Sequence, residues 1–111
     1  MSDLKTIECE ACRVDAPKVT AEERQDLMPQ IPEWQHVMQH GVEQLRRVFN
    51  FDNYPDAVQF TQAVADLAES RGHHPEIILE WGKVTVSWWT HKINGLHKND
   101  FILAAQTDDL I

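Results

Sequence analysis

Residues 75–91 read PEIILEWGKVTVSWWTH, and this stretch decides the fold. Ile77, Leu79 and Trp81 alternate onto one side of an extended segment, and Val84, Val86 and Trp88 alternate onto one side of the next. Trp81-Gly82 between them has the length of a two-residue hairpin loop, which pairs residue 80 with residue 83. Strands joined so tightly run antiparallel. Upstream, Asn53 caps a helix that tolerates Pro55 in its first turn and completes its cap with Asp56. Ala57, Phe60, Val64 and Leu67 recur along it at spacings of three and four, a core-facing stripe, and Gly72 stops it. Further back, VEQLRRVFNF at 42–51 sets Leu45, Phe49 and Phe51 on one face of a strand. His40-Gly41 reads as the turn before it, and Trp34 opens a short strand running to about Met38. Thr20 and Glu23 make a capping box for a first helix that Pro29 and Pro32 end. Beyond the hairpin, Gly95 breaks the strand and DFILAAQTDDLI, residues 100–111, closes as a short helix. The expectation is an α+β domain of order α-β-β-α-β-β-α: a four-stranded antiparallel sheet with three helices packed on one face.

Length and composition agree with one such unit. A chain of 111 residues, 42% hydrophobic and 25% charged, reads as a single soluble globular domain and not a disordered segment. Residues 1–19 lack periodicity and are expected to form a flexible N-terminal arm, leaving 20–111 as the domain. Ten Lys and Arg against 18 Asp and Glu give a net charge of −8, which argues against nucleic acid and against an anionic membrane surface. The N-terminus has no apolar targeting core and no stretch has the length of a membrane span, so a cytoplasmic protein is expected. Cys9 and Cys12 form one CxxC pair, without further cysteines to complete a thiolate zinc site.

The hairpin register also gathers chemistry. Counting outward from 80 and 83 sets His73 opposite Thr90 and beside His91, so GHHP at the start of one strand meets TH at the end of the next. Glu69 lies one helical turn before Gly72 and should point to the same end of the sheet. Imidazoles with a carboxylate suit proton transfer near neutral pH. The competing reading is a metal site, but His73 and His74 are neighbours in an extended segment and point to opposite faces, a poor chelate. Ser70 and Ser87 have no triad context, and four glycines leave no phosphate cradle. His36 and His40 read as surface residues, and His97 sits at a helix cap. Asp100 can serve the site or cap the last helix from its first turn. Trp88 and Trp89 read as core and interface packing.

Glu69-x-x-x-His73-His74-Pro75, then Trp81, Thr90-His91, Gly95-Leu96 and Asp100, resembles the pterin-4a-carbinolamine dehydratase family over about residues 20–111. Phe51-x-x-Tyr54-x-x-Ala57-x-x-Phe60 fits the same resemblance. The CEACR leader and WGKVTVSWWTH look like its bacterial branch, whose members accompany phenylalanine hydroxylase. His97 departs from the pattern, since many members have Thr or Ser at that cap. The resemblance implies a hydro-lyase that dehydrates 4a-hydroxytetrahydropterin to quinonoid dihydropterin, with His73, His74 and His91 as the essential histidines. It implies substrate contacts at Pro75, Thr90, Lys92 and Ile93, with Glu69 orienting. Trp34 corresponds to a tryptophan near the pterin in relatives, and Asp100 joins the candidate substrate residues. No metal or redox cofactor is implied. Family members form dimers and tetramers, and the apolar side of Phe101, Ile102 and Ala105 is the expected assembly surface. Some animal relatives also bind a transcription factor, so an interaction module is the alternative. A paralogue acting on a pterin linked to molybdenum cofactor is a third.

Overall fold

The computed structural model describes residues 18–111. Helix α1 spans Ala21–Leu27, a 3-10 turn follows at Met28–Gln30, and strands β1 (Gln35–Gln39) and β2 (Val42–Asn50) lead to helix α2 (Tyr54–Arg71). Strands β3 (Glu76–Glu80) and β4 (Lys83–Trp88), a second 3-10 turn (His91–Ile93) and helix α3 (Lys98–Asp108) complete the chain. The elements follow the expected order. The sheet runs β1-β2-β4-β3, antiparallel throughout.

Local chemistry sets most of these boundaries. Thr20 and Glu23 exchange capping-box bonds of 2.9 and 3.1 Å. His40 and Gly41 both take positive φ, 52° and 76°, the twisted two-residue turn that lets Gln39 pair with Val42. Asn53 accepts from the Asp56 amide at 2.8 Å, and Gly72 ends α2 in the left-handed region at φ 62°. Glu80 pairs with Lys83 as the loop length requires. At Gly82 a Cβ would stand 2.7 Å from the Phe51 carbonyl oxygen, so the hairpin loop passes where only glycine fits.

The core lies between the sheet and the helices. Leu45, Phe49, Val84, Val86 and Trp88 face inward, and Ala57, Phe60, Val64 and Ala68 of α2 cover them. Trp88 is fully buried and its indole N–H donates to Thr107 Oγ1 of α3 at 3.1 Å. Burying such side chains contributes about 2–3 kcal/mol each.

Several expectations are corrected. Phe101, Ile102 and Ala105 do not offer an assembly surface: all three belong to the chain's own core, because α3 is enclosed on nearly every side. Trp81 does not continue the buried side of β3; it tips out of the loop, 69% exposed. The first strand begins at Gln35, not Trp34, and α3 begins at Lys98, ahead of Asp100. Ahead of Thr20, the Val19 amide donates to the Leu96 carbonyl at 2.8 Å and the Lys18 stem lies against Gly95. The rest of the expected arm, with Cys9 and Cys12, lies outside the described residues. Among the described residues no helix is long and apolar enough to cross a membrane.

Candidate active site

The site forms where α2 hands the chain to β3 and β4 hands it to the second 3-10 turn. The left-handed Gly72 turns the chain sharply, with its amide bonded to α2 carbonyls and the His73 amide donating to Ala68 at 3.1 Å. The next two side chains therefore diverge: His73 goes inward, 4% exposed, and His74 outward. A cavity of about 240 Å³ opens between them, lined by Gly72, His73, His74, Thr90, His91 and Lys92.

Each imidazole is held differently. His73 Nε2 lies 2.8 Å from Asp100 Oδ1, and both side chains are buried. Asp100 Oδ2 accepts from Thr90 Oγ1 at 2.8 Å and from the His97 amide at 2.9 Å. All three partners donate, so the ring proton of His73 on that side sits at Nε2. His74 Nε2 pairs with Glu69 Oε1 at 2.9 Å in the open, where solvent screens the pair and its worth is small. His91 Nε2 lies 3.2 Å from the His74 carbonyl oxygen. A carbonyl can only accept, so His91 also carries its proton at Nε2 and presents Nδ1 as the exchangeable nitrogen. An antiparallel bridge between Thr90 and Gly95 closes the loop carrying His91, and Val19 and Lys18 brace it from behind.

The family model described as pterin 4 alpha carbinolamine dehydratase matches residues 17–110, nearly the whole of this architecture. The chain belongs to the pterin-4a-carbinolamine dehydratase family. Membership makes it a dehydratase of the hydro-lyase class. It is 62% identical over 110 residues to a protein of Marinobacter nauticus, covering 99% of each chain. It is 53% identical over 111 residues to one of Nitrosococcus oceani, covering 100% of this chain and 98% of that one. Both relatives carry the provisional name pterin-4-alpha-carbinolamine dehydratase. Among solved structures it is similar to a transcriptional coactivator/pterin dehydratase from Brucella melitensis, with TM-score 0.77 and 29% identity over 85% of this chain and 98% of that one. A pterin dehydratase-like protein identified as a RuBisCO assembly factor in the alpha-carboxysome has TM-score 0.60 and 25% identity, over 70% and 88%.

Within the dehydratase, the histidines singled out by hairpin register come together with Thr90 and Lys92 around one cavity. Glu69 does not line it; its exposed carboxylate bonds His74. Pro75 and Ile93 are half-buried in the flanking segments and do not line the cavity. Asp100 lies beneath the cavity wall, fully buried, and touches the site through His73 and Thr90. Trp34 is elsewhere: its indole N–H donates to Asp108 at 2.8 Å, at the other end of α3 from Asp100. Eight residues of helix between these aspartates amount to about 12 Å. His97 does cap α3, but through its ring, Nδ1 accepting from the Asn99 amide at 3.1 Å where Thr or Ser would use a hydroxyl. Gly72, marked in the sequence only as a helix stop, also lines the cavity, and Trp89, marked there only as half of an apolar pair, packs against the His91 ring. Among the described residues no group of three or more His, Cys, Asp and Glu is arranged to hold a metal ion.

Proposed function

We propose that the dehydratase removes water from 4a-hydroxytetrahydropterin, the carbinolamine left by aromatic amino acid hydroxylases, by histidine acid–base catalysis. The hydroxyl at the bridgehead carbon is protonated and leaves as water, the neighbouring ring nitrogen loses its proton, and a carbon–nitrogen double bond forms between the two atoms. The product is the quinonoid dihydropterin. Two imidazoles divide the work: one in its protonated form gives to the departing hydroxyl, and another takes the ring N–H proton. The observation that carries this reading is the convergence of His73, His74 and His91 on one cavity, with the His73 ring set by a buried carboxylate and the His91 ring by a carbonyl. Thr90 and Lys92, which line the same cavity, offer polar groups to a bound heterocycle, and this supports the reading. The direct test is the decay of chemically generated 4a-hydroxytetrahydropterin. Acceleration by catalytic amounts of protein supports the reading, and an unchanged decay overturns it.

The same reading places the protein in the cytoplasm beside a hydroxylase, phenylalanine hydroxylase being the proposed one, and as a homodimer or homotetramer. Light scattering should give two or four times the 12.8 kDa chain mass. The interaction-module alternative draws support from the names of the two solved structures, one a coactivator and one an assembly factor. It requires that replacing the histidines leave the protein's biological role intact.

A further inference from the structure

We infer that Trp89 is a positioning residue for the dehydration, holding the His91 imidazole at the cavity edge; this rests on the dehydratase reading above. Trp88 is the last residue of β4 and Trp89 the first beyond it, and in extended chain successive side chains diverge. Each indole meets a different histidine of the site. Trp88, in the core, has its ring centroid 5.8 Å from that of His73, inclined by 34°. Trp89 has its centroid 4.4 Å from that of His91, inclined by 39°.

The two histidines do not depend on these contacts equally. His73 is buried and already tied to Asp100, so its ring has little freedom to lose. His91 is exposed at the start of a three-residue 3-10 turn. Besides the indole face, its ring meets the His74 carbonyl at 3.2 Å, an ordinary hydrogen bond that water can replace. An exposed ring held at one edge by such a bond can swing about it. The indole, with its centroid 4.4 Å away, closes off that motion on one side. Trp89 is itself anchored, half-buried and packed against the core cluster. It does not line the cavity, so its effect on a bound pterin passes through His91. A proton-transfer group displaced by about 1 Å can lose up to roughly a hundredfold in rate; loosening without outright displacement should cost about tenfold.

The test compares Trp89→Phe, Trp89→Leu and Trp89→Leu combined with His91→Ala, each with steady-state kinetics and a thermal melt. Trp89→Leu should lower kcat about tenfold with KM within about twofold, whereas Trp89→Phe, which keeps a flat ring, should retain about half or more of kcat. In the His91→Ala background the leucine substitution should cost nothing further, a coupling that a purely structural role would not show. In the wild-type protein, proton NMR should show contacts between the Trp89 indole and the His91 ring, a readout that needs no variant to fold. Absence of those contacts, a leucine variant with wild-type kcat, or an equal loss in the His91→Ala background would each overturn the role while the wild-type enzyme remained active. A wild-type protein that fails to accelerate carbinolamine decay would instead overturn the dehydratase reading, and this role with it.

Discussion

Replacing Asp100 by Asn probes the most tightly determined part of the site. The carboxylate is fully buried and accepts from His73 Nε2, Thr90 Oγ1 and the His97 amide, at 2.8, 2.8 and 2.9 Å. Asn has nearly the same shape but only one accepting oxygen. Turned with its NH2 toward Thr90 and the His97 amide, it would set donor against a backbone donor that cannot adapt. Turned toward His73, it meets a ring that can shift its proton to the other nitrogen, so this orientation costs least. The stability loss is then that of a charge-assisted bond replaced by a neutral one, about 1–2 kcal/mol. For a domain of this size that lowers Tm by roughly 5–12 °C. The chemical effect is larger, because the His73 ring would carry its proton on the wrong nitrogen. Turnover should fall in roughly the 10²–10⁴ range of a mis-set acid–base group. Asp100→Ala removes both acceptor oxygens, and with them all three hydrogen bonds, and should cost about 3–5 kcal/mol, a large share of the roughly 5–15 kcal/mol that holds a domain folded. Calorimetry gives the first quantity and stopped-flow decay of the carbinolamine the second. An Asn variant that melts lower yet turns over within threefold of wild type would refute the proton-placement argument.

Three further outcomes are expected. His73→Ala and His91→Ala should each lower the dehydration rate by roughly 10²–10⁴ with folding intact, and rates within a few-fold of wild type would remove the assignment. Dialysis against a strong chelator should leave the rate unchanged, since His73 and His74 diverge into buried and exposed surroundings; a loss restored by Zn²⁺ would favour a metal site. Gly82→Ala should destabilise by about 1–3 kcal/mol, because its Cβ would meet the Phe51 carbonyl at 2.7 Å. The turnover of the folded fraction should survive that change, since Gly82 lies at the opposite end of the β3–β4 hairpin from the histidines, and a selective loss of activity would contradict it.

What the sequence by itself determined was the chemistry of near neighbours. The Thr20–Glu23 box, the Asn53 cap, the His40-Gly41 turn and the Gly72 stop each depend on partners within a few residues, so their physics is complete in a short window. The two-residue loop at Trp81-Gly82 extends that reach: it sets the β3–β4 register as far as Glu76 opposite Ser87, beyond which His73 leaves the ladder and Thr90 bridges Gly95, yet both segments still end at one cavity. Only the tertiary structure decided what depends on distant segments. β2 lies against β4, Leu45 opposite Trp88, which makes the hairpins one sheet in the order β1-β2-β4-β3. Phe101, Ile102 and Ala105 look like a free apolar face until the folded chain buries α3 against the sheet. Trp34 is drawn to Asp108 and away from the histidines by a bond across 74 positions of sequence. Asp100 shows the division most clearly. Its first-turn position predicts a helix-capping carboxylate, and the His97 amide uses it so. The hydrogen bond to His73, 27 residues earlier, exists only because the folded chain excludes water from both groups, and a buried donor must find an acceptor.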